Sequence, residues 1–463
     1  MMLGSRLLRA RVNLPSQRCA RNFATAKPAS SATQISTLKN NMRVATEELP
    51  LETATVGVWI DAGSASETEA NSGVAHFLEH MAFKGTEKRT RQALETEIEN
   101  IGGTLNAYTS REQTVYYAKV LKKDVEKAVD ILSDILLHSK LDPKHIEAER
   151  HTILREMQEV NKDHHEVVFD YLHSAAFQGT GLSRTILGPP QNVNSLKKGD
   201  LQDYVKTNYV GPKMVLVGAG GVSHEQLVSL ADKHFGSLSA TAEATESEKP
   251  TFTGSLVQER DDSLHTAHFA MAFESVGWSH PDYYVFQVLQ AIIGSWDRTL
   301  GGGKNVSSKL GELFASEKLA HSVSAFNTTY NHTGLFGAYF VNDGGEKYED
   351  GIYEVFNEFN RIGKNISDAE VDRAKTKLKA SVLLQLDGTT AIAEDIGRQV
   401  LAYGRRLSLP EIYARIDAVS AKDIRRVIKG HFEDQCPAVA AVGKTEELPD
   451  YNQIRGWTYW MRW

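Results

Sequence analysis
The sequence predicts an α+β protein in two similar halves, and three observations carry that reading. Strand-like runs alternate with helix-like ones, a polar stretch interrupts them near the middle, and motifs on its two sides recur at a fixed offset. With 463 residues there is room for more than one domain. Thr55 to Ile60, Gln113 to Val120, His265 to Phe273 and Gly334 to Val341 have the composition of strands. Leu238 to Gly254, rich in Ser, Thr, Ala and Glu, is poor in core residues and reads as a linker. Before it, Asp200 to Val205 reads as a helix leading to the apolar strand Met214 to Gly218; after it, Asp423 to Ile428 leads likewise to Ala438 to Gly443. The division expected is a first domain over 35–237, a linker over 238–254 and a second domain over 255–463.

In chain order, the N-terminus comes first. Through residue 46 there is no Asp or Glu, while Arg6, Arg9, Arg11, Arg18 and Arg21 are spread among Leu, Ala and Ser. That is the composition of a mitochondrial transit peptide over residues 1–22, not of a secretory signal with its compact apolar core.

His76-Phe77-Leu78-Glu79-His80 follows, in a segment from Gly73 to Phe83 without proline. Residues four apart share a helix face, so His76 and His80 can converge on one ion, with Glu79 beside them as a base for an attacking water. A catalytic zinc takes three protein ligands, and the run Pro143 to Val160 offers the third. Asp142 is a cap candidate, Pro143 suits a first turn, and Ile146, Ile153, Leu154 and Met157 form an apolar stripe. Glu149 and Glu156 lie seven apart, two turns of one face. Glu156 is assigned as the third ligand, and Glu149 as a catalytic-site carboxylate that orients a histidine or tunes the site.

The helix with Glu156 has a counterpart, Ser367 to Leu386, at an offset of 225, the offset that also relates Gly218 to Gly443. There Glu149 falls on Ala374 and Glu156 on Ser381, and Val285 to Ile293 lacks His and Glu at ligand spacing. One half is expected to carry the chemistry and the other to have been released from it.

Two glycine-rich stretches are rejected as nucleotide sites. In Val217 to Ser223, Ser223 stands where a dinucleotide fingerprint needs its third glycine and reads instead, with Gln226, as a capping box. Gly303-Lys304 is preceded by Arg298 and followed by Asn305, where a phosphate loop needs Gly and Ser or Thr. The formal charge of −7 becomes −12 once residues 1–22, with five Arg and no acid, are removed. An acidic body argues against a nucleic-acid partner. Cys19 would leave with the leader, so Cys436 has no partner for a disulfide. No run of 18 apolar residues occurs, so no membrane span is expected.

With His76, Glu79, His80 and the later Glu156 in place, the chain resembles the M16 metallopeptidases, whose inverted His-x-x-Glu-His motif is followed by a distant glutamate. The likeness covers nearly all of the chain after the leader, including Gly-Gly-Gly at 301–303 and Phe326-Asn327-Thr328-Thr329-Tyr330. Within the family it is nearest the processing-peptidase branch, whose relatives include core subunits of the cytochrome bc1 complex. The resemblance implies two similar α/β-sandwich domains with mixed, mainly antiparallel sheets, and one Zn²⁺ per chain. It implies a zinc endopeptidase of the mitochondrial matrix that removes presequence peptides, working as a heterodimer with a homologous α subunit. Partnership with cytochrome bc1 subunits is the alternative. The triglycine is then a tight turn, since the family's mobile glycine-rich loop belongs to the α subunit.

Residue by residue, the resemblance assigns Phe83 to the pocket for the residue after the cut, and Asn106 and Ala107 to the substrate backbone. The run Leu105 to Ser110 reads independently as an edge strand suited to pairing with a peptide. Glu166 and Asp170, four apart on a helix continuing from Glu156, would hold the arginine two residues before the cut. Tyr330 would steady the substrate or the oxyanion. Arg21-Asn22-Phe23-Ala24 then looks like a processing site cut between Asn22 and Phe23.

Overall fold
Two six-stranded sheets, alike in the order of five strands but with the sixth added at opposite ends, frame the computed structural model, which describes residues 32–242, 249–300 and 306–460. The leader, the centre of the polar stretch and the triglycine lie outside the described residues. The first sheet runs β1 (Gln34–Thr37), β2 (Arg43–Glu48), β6 (Met214–Gly220), β3 (Thr53–Ile60), β5 (Thr114–Leu121) and β4 (Thr104–Thr109). The second runs β7 (Leu256–Arg260), β12 (Ala438–Gly443), β8 (Ala267–Val276), β11 (Thr333–Asn342), β10 (Ser322–Thr329) and β9 (Ser295–Asp297). In each sheet one pair is parallel, β2 with β6 and β7 with β12, and the others are antiparallel. The fold is α+β, as the alternating strand and helix signals predict.

The first half carries helices α1 (Val74–Ala82), α2 (Arg91–Asn100), α3 (Val125–Leu137), α4 (Pro143–Val160), α5 (His164–Ala176), α6 (Pro190–Ser195), α7 (Lys198–Asn208) and α8 (His224–Phe235). The second carries α9 (Tyr283–Ile293), α10 (Lys309–Ser316), α11 (Glu346–Asn365), α12 (Asp368–Gln385), α13 (Thr389–Tyr403), α14 (Leu409–Asp417), α15 (Ala421–His431) and α16 (Tyr451–Trp460). α4 and α12, both 18 residues long, are displaced by the offset read from the sequence. Local chemistry sets their starts. The Asp142 carboxylate accepts from the Lys144 N–H with Pro143 in the first turn, and Ser367 with Glu370 forms a capping box. Ser223 caps α8 by accepting from the Gln226 N–H at 3.3 Å, so the glycine-rich stretch before it ends a strand and opens a helix.

Glu166 does not lie on a continuation of the Glu156 helix: α4 stops at Val160, and Asp163 caps a separate α5 by accepting from the His165 N–H at 3.0 Å.

The central strands β6 and β12 are buried along their whole lengths, so both sheets need apolar cover on two faces. One face is covered locally. Phe77, Leu132, Ile153, Leu201 and Leu227 belong to the core on the first sheet, and Phe286, Phe314, Ile352 and Ile424 to that on the second. The other faces are covered by exchange. From the first half, α5 sends Val168, Leu172, Ala175 and Ala176 onto Ala270, Ala272, Ala438 and Ala440 of the second sheet. In return α13 lays Ala393, Ile396 and Val400 against Ala45, Trp59, Val215 and Val217 of the first. Polar contacts finish the seam: Thr55 with Thr389 at 2.8 Å, and the Trp59 indole donating to Glu394 at 3.3 Å.

Gly397 is what lets α13 approach so closely, since a Cβ there would meet Trp59 Cδ2 at 2.3 Å. Gly397→Ala is therefore expected to destabilise by about 1–3 kcal/mol and lower Tm by several degrees, read by thermal unfolding.

Candidate metal centre
The site is built on α1. Gly73 precedes it with φ 97°, and a Cβ at Gly73 would meet the Leu187 carbonyl oxygen at 2.7 Å, so glycine alone suits this start. Val74, Phe77, Leu78 and Met81 bury one side of the short helix in the core of the first half. His76, Glu79, His80 and Phe83, at intervals of three and four, share the opposite side.

α4 packs alongside with Ile146, Glu149, Arg150, Ile153 and Met157 buried. Arg150 secures it by donating to the carbonyls of Val193 and Leu196 and lying over the Phe77 ring, 5.9 Å from its centroid. Glu156 thereby faces both histidines. Its Oε2 is 3.0 Å from His80 Nε2, and its Oε1 is 3.6 Å from His76 Nε2. Donor atoms of the three residues lie within 4.8 Å of one another, the only such His, Cys, Asp and Glu group among the described residues.

His80 Nδ1 lies 3.2 Å from Glu149 Oε2, while Lys84 Nζ is 2.6 Å from Glu149 Oε1. Glu149 thus stands behind His80, fixing its ring. If Nδ1–H donates to Glu149, the Nε2 lone pair of His80 faces an anionic oxygen 3.0 Å away. Only a shared proton or a cation relieves that juxtaposition. The imidazoles of His76 and His80 beside it hold the Glu156 carboxyl well below the usual carboxylate range, against burial. Burial lowers the affinity of His80 for a proton, but the bonds to Glu156 and Glu149 outweigh it and leave the group raised. Two imidazole nitrogens and a carboxylate oxygen are a donor set that fits Zn²⁺.

Glu79 is half-buried, and its Oε2 accepts a 2.6 Å hydrogen bond from Thr109 Oγ1 at the end of β4. That strand pairs only with β5 and is the sheet edge, with Asn106 exposed and Ala107 half-buried. Phe83 is half-buried against the same core, 6.5 Å from the Tyr116 ring.

Farther out, two residues sit differently from the sequence reading. Asp170 is not free: Oδ1 accepts from Arg111 Nη2 at 2.5 Å, and Oδ2 from Thr185 Oγ1 at 2.9 Å. Glu166 remains exposed, 3.8 Å from His165. Tyr330 does not present its hydroxyl to a cleft. It is buried, with its oxygen 2.7 Å from Nε2 of the buried His173 and Phe177 against its ring, and burial pushes its pKa up to about 12. Sequence reading missed Arg111, Thr109, His173 and Lys84. Only Lys84, one turn after His80, lay within reach of helical periodicity.

Residues 43–190 match the family model described as Insulinase (Peptidase family M16), and residues 195–378 match the Peptidase M16 inactive domain. The chain is 53% identical over 447 residues to the mitochondrial-processing peptidase subunit beta of Lentinula edodes, covering 95% of this chain and 96% of that one. With the human protein of the same name it shares 52% over 432 residues, 93% of this chain and 88% of that one. Among solved structures it is similar, with a TM-score of 0.82 and 27% identity, to a chain of complex III2 from Candida albicans with Inz-5 bound; the match covers 92% of this chain and 99% of that one.

Glu67 sets where α1 begins. Buried beneath the helix N-terminus, it accepts from the Gly73 N–H at 2.8 Å and the Ala75 N–H at 2.9 Å. Burial nevertheless pushes its pKa up to about 8, from 4.5, against those bonds and the nearby Arg184. Below pH 4.5 both folded and unfolded forms are protonated; above it the unfolded chain releases the proton first, so stability falls as pH rises toward 8. Glu67→Gln is expected to remove roughly 3 kcal/mol of the stability change between pH 5 and pH 8, measured by urea unfolding at both.

Proposed function
The chain belongs to the M16 family of peptidases and is a metallopeptidase, and on that premise we propose that it removes N-terminal targeting presequences from proteins imported into mitochondria. The proposal extends to the matrix as its place of work, a homologous α subunit as partner in a heterodimer, and a cut two residues after an arginine. The convergence of His76, His80 and Glu156 beside Glu79 carries this reading.

In the proposed mechanism His76, His80 and Glu156 hold one Zn²⁺, which supplies a Lewis acid toward a water and the scissile carbonyl. Glu149 and Lys84 keep the His80 ring in place. Glu79 takes the proton of the attacking water and passes it to the leaving amine. An extended peptide pairs with the open edge of β4, where Asn106 and Ala107 meet its backbone and Phe83 lines the pocket beyond the cut. Glu166 supplies the charge that meets the substrate arginine. Asp170 is shared with Arg111, so its contribution to that contact is reduced. The first half, 35–237, then works as the catalytic domain, and 255–463 as a repeat without ligands, joined through 238–254.

A second reading, a core subunit of the cytochrome bc1 complex with or without peptidase activity, is favoured by the likeness to a complex III2 chain. Cleavage of an arginine-containing presequence peptide, with and without an α-type partner, separates the two. The first reading expects turnover only with the partner and its loss on chelation. Glu79→Gln should retain zinc by metal analysis while losing turnover by about 10²- to 10⁴-fold. Bound zinc without cleavage in either setting would favour the core-subunit role.

Glu166→Ala is expected to lower kcat/KM about 10-fold on peptides with arginine two residues before the cut, and to leave alanine-substituted peptides unaffected. Equal loss on both would assign Glu166 a structural role.

A further inference from the structure
We infer that Thr109 is a positioning residue for the base. Its hydroxyl, on the strand that receives the substrate, holds the Glu79 carboxylate in the orientation hydrolysis requires, so laying a peptide along β4 and aiming the base become one mechanical event. The inference rests on the roles proposed above for Glu79 and β4.

The alternation of β4 singles Thr109 out. Leu105, Ala107 and Thr109 share the face toward α1, and Leu105 and Ala107 pack on the core beneath that helix. Asn106 and Tyr108 point the other way, Tyr108 joining Trp59 under α13. Of the residues on the α1 face, Thr109 ends the strand and carries the hydroxyl, which donates to Glu79 Oε2 at 2.6 Å. Among the described residues, this is the hydrogen bond that holds the Glu79 carboxylate. A carboxylate on a flexible side chain rotates unless such a bond stops it.

The strand end itself is pinned. Thr109 pairs with Thr114, and the turn closes through the Ser110 N–H to the Gln113 carbonyl at 2.7 Å. Beyond it, Arg111 is tied to Asp170 and to the Leu182 carbonyl, and Glu112 accepts from the Asn331 N–H at 3.0 Å. The hairpin carrying the hydroxyl is therefore anchored to both halves. Displacement of a reacting group by an ångström is enough to slow a reaction about 10²-fold.

The test is a cycle of Thr109→Val, Glu79→Gln and the double variant, with Thr109→Ser as rescue, in the partner-supplemented cleavage assay under steady-state and single-turnover conditions. Valine keeps the shape and β preference of threonine and removes only the donor. Thr109→Val is expected to lower the cleavage rate about 10- to 100-fold with KM within about 2-fold and zinc content and Tm unchanged; Thr109→Ser should recover most of it. In the Glu79→Gln background the same change should add almost nothing, since Thr109 acts through that carboxylate. A Thr109→Val enzyme that cleaves normally while Glu79→Gln is inactive would overturn this inference alone. So would a raised KM at constant rate, or losses that multiply in the double variant. Normal cleavage by Glu79→Gln would overturn the base assignment together with it.

Discussion
Both central sheets are apolar on two faces, and each half covers only one of them with its own helices. The uncovered faces would expose the rows around Ala270, Ala440, Val215 and Val217 to water, at about 25 cal/mol for each Å². Exchange of α5 and α13 removes that cost, and much else follows. Because α5 is committed to the second sheet, the chain turns sharply at 161–163, between the helix with Glu156 and the helix with Glu166 and Asp170. Glu156 therefore sits on one rod and Glu166 and Asp170 on another, the second packed on the sheet of the other half. The same clasp brings the 110–113 turn of one sheet against Asn331 at the matching hairpin of the other.

Within that frame, neighbouring carboxylates acquire different characters from their surroundings alone. Glu156, bridged by two imidazoles, is held anionic far below its ordinary range. Glu67, a short distance along the chain from α1, is driven the opposite way by burial although two helix N–H groups point at it. Glu149 is locked between His80 and Lys84, and Glu79 is steadied by one hydroxyl. The proposed metal ligand and base, a carboxylate beside the His80 ring and a helix cap are thus made from one side-chain type. Environment separates them, as it does wherever paired carboxylates divide acid, base and binding work.

The second half repeats the fold without the residues that converge in the first. α12 has the length of α4, and five strands of its sheet repeat the order of the first, while Ala374 and Ser381 occupy the positions of Glu149 and Glu156. What is retained is the apolar pattern that both halves need to bury.

Much of the centre was legible because it is local. The helical period places His76, Glu79 and His80 on one face and Glu149 and Glu156 on another, and the offset of the repeat shows which half lacks them. The run Leu105 to Ser110, after Gly102-Gly103, read as a short edge strand, and β4 lies at the edge of its sheet. What lay beyond local reading involved partners far apart in sequence. Arg111 finds Asp170 across 59 residues and Tyr330 finds His173 across 157, so an expected substrate contact turned out to be shared and another to be internal. The sequence by itself determined which side chains stand on each helix face and strand edge, since that depends on periods of two and 3.6 residues. Only the tertiary structure decided which of them remain free to meet a substrate. A carboxylate or hydroxyl is committed by whichever group packing delivers to it, and here packing is governed by two sheets that must bury both faces.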